Sequence, residues 1–242
     1  MIRHPGTESG MRIRGVPAFL CAAALCLSAL VATPAAPASA EPCPAVEVVY
    51  ARGTAEPVGV GQVGQAFVDT LRAQVPTKSV AVYPVNYLAS SQFGDRIQFA
   101  ESVVDGIRDA GAHVQATSVT CPNTRIVLGG FSQGAVVAGF VTAAAVPEGV
   151  PADLVPAPLP PQVADHVAAV TLFGMPSAAW MENFGAPPVI IGPLYATKTI
   201  NLCAQGDGIC DGTPGGMPGL AHLMYGANGM VGQAAAFAAN RM

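Results

Sequence analysis

The chain has 242 residues, 51% of them hydrophobic and only 11% charged, with a formal net charge of −4. That composition excludes an intrinsically disordered chain and leaves ample apolar material for one domain with a sizeable core. The acidic balance and the lack of any basic cluster exclude nucleic acid as an expected partner, and equally an attraction to anionic membrane surfaces.

Arg12 and Arg14 precede an apolar stretch from Val16 to Val31, and "ATPAAPASA" follows it. A charged start, an apolar middle and small residues before a cut after Ala40 are the parts of a secretory signal. Residues 1–40 are therefore expected to be removed and 41–242 to form a single domain. A membrane anchor fits less well, because the run is short for a span and Pro34 and Pro37 come directly after it. Removal takes Lys+Arg from 11 to 8 and Asp+Glu from 15 to 14, a net charge of about −6.

Five β-like runs follow: 45–51, 80–87, 124–131, 167–174 and 197–203. Most are apolar without polar alternation, as strands covered on both faces are. Helical patterns lie between several of them, near 61–74, 95–117 and 133–145, and a last one near 230–240. In the second, Ile97, Ala100, Val104, Ile107 and Gly111 recur at helical spacing and mark one face. Strands alternating with helices predict an α/β fold, a central, mostly parallel five-stranded sheet in a three-layer sandwich. The Pro-rich stretch 150–162 reads as a surface excursion, since the strand–helix rhythm resumes after it.

The third strand runs into "GGFSQGA", with Ser132 between Gly130 and Gly134. A strand that turns sharply into a helix crowds the backbone around its central residue, and G-x-S-x-G removes the Cβ atoms that would collide. The pattern is short enough to recur by chance, but a buried strand before it and a helix after it favour a nucleophile elbow. The N–H of Gln133 then opens the helix and can donate to an oxyanion. Such a serine needs a base and an orienting acid, in the chain order Ser, Asp/Glu, His. Of the two downstream histidines, His166 enters a strand at the wrong sheet edge, whereas His222 lies in a glycine- and proline-rich loop after the last strand. Asp207, in "CAQGDGIC" directly after the fifth strand, is the expected acid, with Asp211 in reserve. The chemistry calls for no metal or organic cofactor.

Cys21 and Cys26 leave with the signal, so Cys43, Cys121, Cys203 and Cys210 remain, an even number suited to an oxidising compartment. Three pairings are open; proximity favours Cys203–Cys210, which leaves Cys43–Cys121. Zinc-knuckle spacing is missing. "GVGQVG" (59–64) mimics a dinucleotide fingerprint, but the strand ends several residues too early and the second strand ends without the required carboxylate.

The stretches "VVYARGTAE" (48–56), "CPNTRIVLGGFSQGA" (121–135), "VTLFG" (170–174), "CAQGDGIC" (203–210) and "GLAHLMYG" (219–226) resemble the cutinase family, specifically the secreted cutinase-like serine esterases of mycobacteria and related actinobacteria. The resemblance spans nearly all of 41–242. It implies a small α/β hydrolase with little or no lid and a triad of Ser132, Asp207 and His222. It also implies an oxyanion hole from Thr54 and Gln133 and the disulfides Cys43–Cys121 and Cys203–Cys210. The implied activity is hydrolysis of short- to medium-chain acyl esters, lipid esters or cutin-like polyesters. The expected partners are an ester or lipid substrate and, transiently, a lipid surface, with the protein a monomer. Two departures from fungal members, the Pro-rich insert and a longer apolar segment at 175–196, bear on substrate range. The rival readings are a lipid- or cell-wall-binding protein on an inactive hydrolase scaffold and a serine peptidase; for the latter no P1 pocket is suggested.

Overall fold

The computed structural model describes residues 42–242, so the expected signal segment lies outside the described residues. In chain order the elements are β1 (Val46–Ala51), α1 (Gly61–Gln74), β2 (Val80–Pro84), α2 (Arg96–Thr120), β3 (Arg125–Phe131) and α3 (Gln133–Val141). Then follow a 3-10 turn (Pro161–Asp165), β4 (Val167–Phe173), α4 (Ala178–Phe184), α5 (Pro193–Ala196), β5 (Thr199–Leu202), α6 (Leu220–Leu223) and α7 (Met230–Ala239). The strands form one sheet in the order β2-β1-β3-β4-β5, and all four pairings are parallel.

The central strands are apolar on both faces because both are covered. On one side Val136, Val137 and Val141 of α3 pack with Val103, Ala110 and Val114 of α2 against Val49, Leu128 and Leu172. On the other, Phe67, Val68 and Leu71 of α1 and Val231 and Ala235 of α7 pack against Val48, Tyr50 and Phe173. This is the expected three-layer sandwich. Chain reversals at the sheet centre put the carboxyl ends of β1 and β3 side by side, the place where ligands enter open α/β sheets.

Some boundaries and faces differ from those expected; α3 ends at Val141, short of the expected 145. The second β-like run stops at Pro84, which cannot continue to donate to a ladder. Val85 and Tyr87 beyond it are buried from a loop instead of a strand. On α2 the predicted row is real, but it is not the row that meets the sheet. Ile97 is 74% exposed, Val104 and Ile107 are half-buried, and the sheet side is carried by Val103, Gly106, Ala110 and Val114.

A partly buried cluster ties α2 to β1. The Glu47 carboxylate accepts from Thr117 Oγ1 at 2.8 Å and lies 3.0 Å from His113 Nε2, whose ring stacks on Tyr83. Burial pushes the Glu47 carboxyl up, but the bonds from His113 and Thr117 and the charge of His113 outweigh it, and the group titrates below its ordinary 4.5. A carboxylate lowered on folding contributes stability that is present above the unfolded value and lost as pH falls through the folded one. The Tm difference between wild type and Glu47→Gln is therefore expected to be present above pH 4.5 and to close as pH falls below it. A gap that widens on acidification would contradict this.

Candidate active site

Ser132 sits at the β3–α3 turn with φ 53° and ψ −117°, a conformation that L-residues rarely adopt. The turn is locked by Ser132 N–H donating to the Phe173 carbonyl at 2.9 Å, and by Ala135 N–H donating to Ser132 O at 2.9 Å. Both flanking glycines are required. A Cβ on Gly130 would run into the Gly134 carbonyl, and one on Gly134 into the carbonyl of Ala51. The half-buried side chain is thereby raised above the sheet edge.

His222 comes from α6, 90 residues later, and its Nε2 lies 2.9 Å from Ser132 Oγ. Its Nδ1 lies 2.9 Å from both oxygens of Asp207. With the ring proton on Nδ1, the imidazole donates to the carboxylate and accepts from the serine hydroxyl. Asp207 is fully buried and His222 is 4% exposed. The carboxylate is held by Ile209 N–H at 3.0 Å and by the Tyr225 hydroxyl, which donates to Oδ2 at 2.7 Å. The Cys203–Cys210 disulfide closes the loop that carries Asp207, as expected, and Cys43–Cys121 is the second bridge. An imidazole between a hydroxyl and a buried carboxylate can remove the hydroxyl proton during attack and return it to a leaving group.

The approach to Thr54 is built from Arg52 and Glu56. The Arg52 guanidinium donates to the carbonyls of Tyr87 (2.7 Å), Leu88 (3.0 Å) and Glu56 (3.2 Å), and the Tyr87 hydroxyl donates back to the Arg52 carbonyl. Burial raises the Tyr87 hydroxyl well above the ordinary phenol range, against the opposing charge of Arg52. The Glu56 carboxylate accepts from Gly53 N–H at 2.6 Å and from Gln62 N–H at 2.8 Å at the start of α1. That helix start is thus occupied by the chain's own carboxylate, which disposes of the dinucleotide fingerprint. Ala55 and Ala89, both with positive φ (57° and 51°), join the two loops through Ala55 N–H donating to Ala89 O. Thr54, between the engaged Gly53 and Ala55, lines the same cleft as Ser132, Gln133 and His222. Gln133 is the first residue of α3, so its N–H has no carbonyl four residues back.

The remaining candidates fall elsewhere. His166 follows the 3-10 turn at the amino end of β4, and Asp211 is exposed with its carboxylate lowered by the Thr213 N–H. Two residues escaped the sequence reading. Tyr225 accepts from Ala204 N–H at 2.9 Å and donates to Asp207, and burial, ahead of the neighbouring carboxylate, raises its hydroxyl far above the phenol range. Its signal was its place three residues after His222. Gly174, with φ 54°, backs the His222–Asp207 pair: a Cβ there would lie 2.9 Å from Tyr225, 3.1 Å from His222 and 3.2 Å from Asp207. Gly174→Ala is expected to lower kcat by roughly 10- to 100-fold, since displacements near 1 Å at a reacting geometry carry that cost. Steady-state ester hydrolysis checks it, and wild-type kcat in the variant would contradict the packing.

Known proteins resemble this chain. Residues 42–242 match the family model described as Cutinase. Probable carboxylesterase Culp7 of Mycobacterium tuberculosis is 58% identical over 170 residues, covering 70% of this chain and 89% of that protein. Phospholipase Culp4 of the same organism is 44% identical over 246 aligned positions, covering all of both chains. Among solved structures, Trichoderma reesei cutinase in complex with a C11Y4 phosphonate inhibitor is 30% identical with a TM-score of 0.60, covering 82% of this chain and 77% of that one. The catalytic core domain of acetyl xylan esterase from the same fungus is 25% identical with a TM-score of 0.67, covering 83% and 100%. With an elbow serine, a bridged histidine and relatives of this kind over the full described length, the chain belongs to the cutinase family and is a carboxylic-ester hydrolase.

Proposed function

We propose that this protein is a secreted serine esterase that works through Ser132, His222 and Asp207. The observation that carries the reading is the pair of 2.9 Å contacts by which one imidazole bridges Ser132 Oγ and the buried Asp207 carboxylate. Ser132 Oγ attacks the acyl carbon while His222 Nε2 takes its proton. Asp207 holds the ring in the productive tautomer and stabilises the imidazolium that forms. The backbone N–H groups of Thr54 and Gln133 receive the oxyanion, each worth about 3–4 kcal/mol in comparable sites. Collapse expels the alcohol, which takes the proton from His222, and water then releases the acid from the acyl-enzyme by the same route.

Secretion is supported by the two disulfides, which persist in oxidising compartments. Contact with a lipid surface is supported by apolar side chains at the cleft rim: Leu223, Met224 and Phe93 are 66%, 41% and 46% exposed. Stopped-flow hydrolysis of nitrophenyl butyrate tests the chemistry. A burst of nitrophenol stoichiometric with enzyme is expected where deacylation is the slower step, because the acyl-enzyme then accumulates. Turnover that survives in His222→Ala at the wild-type rate would sink the triad.

A further inference from the structure

The cleft does not end at the serine. A cavity of about 1320 Å³ runs from Ser132 and His222 along α2 and α3 to the Pro-rich segment, far more than a short acyl group fills. Its depth can be read from α3, which starts beside the nucleophile. Val136 and Phe140 line the cavity four and eight residues on, about 6 and about 12 Å along the helix axis. The α2 side is the row Ala100, Val104, Ile107 and Gly111, the same helical face that fails to meet the sheet. Helices α2 and α3 touch near Gly106, where a Cβ would lie 2.9 Å from Val137. Val155 and Leu159 of the insert line the same cavity, Leu159 on the Gly111 side.

An apolar helix row that lines a cavity beside the candidate serine needs an occupant. The lining offers little to a sugar or a peptide. The Glu56 carboxylate at the mouth is already committed to Gly53 and Gln62, and Arg108 at the outer edge pairs with Asp105 at 2.6 Å. Arg96, Gln115 and Asn183 also line the cavity, but most of what remains is an apolar wall leading away from Ser132. We propose that this groove holds the acyl chain of the substrate and that the Pro-rich insert makes the protein selective for long-chain acyl esters, an inference that rests on Ser132 being the nucleophile. The row from Ala100 to Gly111 alone spans about 16 Å, the reach of an extended long-chain acyl group. Each methylene that is seated there in the transition state and in water otherwise favours reaction roughly fourfold.

Two plugs at different depths test this: Val104→Trp midway and Gly111→Leu at the far end, where only Leu159 Cδ2, at 3.8 Å, stands near a new Cβ. The readouts are kcat/KM for nitrophenyl butyrate, octanoate, laurate and palmitate, and inactivation rates with alkyl phosphonates of the same lengths. Wild type is expected to favour laurate and palmitate over butyrate. Val104→Trp is expected to lower the palmitate-to-butyrate ratio roughly tenfold or more. Gly111→Leu is expected to penalise palmitate while sparing octanoate, and it keeps the test decisive if the bulkier change disturbs α2. Chain-length profiles of both variants that superimpose on wild type, with butyrate turnover intact, would overturn the groove. A wild type that favours butyrate would overturn it as well. Failure of the nucleophile assignment looks different: neither butyrate nor any phosphonate would then react at Ser132.

Discussion

Replacing Ser132 by Ala is expected to lower ester turnover by roughly 10⁴- to 10⁶-fold while leaving Tm nearly unchanged. The size follows from the way a triad acts as a unit: without the nucleophile, the base and its carboxylate have nothing to activate, and only oxyanion stabilisation and binding remain. The small structural effect follows from the surroundings of the hydroxyl. It is half-buried, faces the open cleft and makes one side-chain contact, to His222 Nε2. Its loss leaves that nitrogen to water, a change within about 0.5 kcal/mol. The backbone strain at φ 53° stays, since alanine carries the same Cβ. Titration of purified variant with nitrophenyl esters, alongside a thermal melt, checks both halves. Turnover close to wild type would overturn the assignment, and a melt many degrees lower would mean that the hydroxyl has a structural task.

The second large effect concerns stability. Replacing Cys43 and Cys121 together by Ala is expected to destabilise the fold by about 4–5 kcal/mol, because the bridge closes a long loop in the unfolded chain. The sequence separation is 78, against 7 for Cys203–Cys210, whose removal is expected to cost about 2–3 kcal/mol. The long bridge anchors the segment leading into β1 to the residue that ends α2. A loss of that size is a large share of the 5–15 kcal/mol typical of a folded domain. Denaturant unfolding under oxidising conditions measures it, with a lower midpoint expected for the Cys43 and Cys121 double variant than for the Cys203 and Cys210 one. An unchanged midpoint would contradict the chain-entropy account. The two bridges should also separate by function. The short one holds the loop of Asp207, so its removal is expected to reduce kcat more than its stability cost suggests.

The legible parts of this fold are those in which one stretch of sequence carries its own physical signature. β1, β3 and β4 are covered on both faces and read as continuous apolar runs, and their observed bounds fall within a residue of the expected ones. Helix α1 was legible to the residue. The fifth run was placed early because Thr197 and Lys198 end the short α5 instead of entering β5. Helices α4, α5 and α6 span seven residues or fewer and owe their form to neighbours in space, so no periodicity announces them. The row Ala100, Val104, Ile107 and Gly111 shows the limit most clearly. Periodicity reports that a helix face is apolar, and cannot say whether sheet or cleft lies opposite it.

The site divides in the same way. Ser132 was legible because an elbow constrains five consecutive residues, and Asp207 and His222 because they follow it in a fixed order after the last strand, although His222 lies on the short helix α6 and not on the expected loop. Gly174, Tyr225 and the Arg52–Glu56 clamp were not assigned roles. Gly174 matters only because Tyr225 and His222, some 50 residues later, close over it, and Glu56 only because Gly53 and α1 converge on its carboxylate.

The 2.9 Å contact between His222 Nε2 and Ser132 Oγ is expected to make that hydroxyl a nucleophile. Incubation with a stoichiometric alkyl phosphonate, followed by intact-protein mass and peptide mapping, tests it most directly. One adduct per chain, on Ser132, is expected, formed at a rate that collapses in His222→Ala. An unmodified wild-type protein, or an adduct on any other residue, would contradict it.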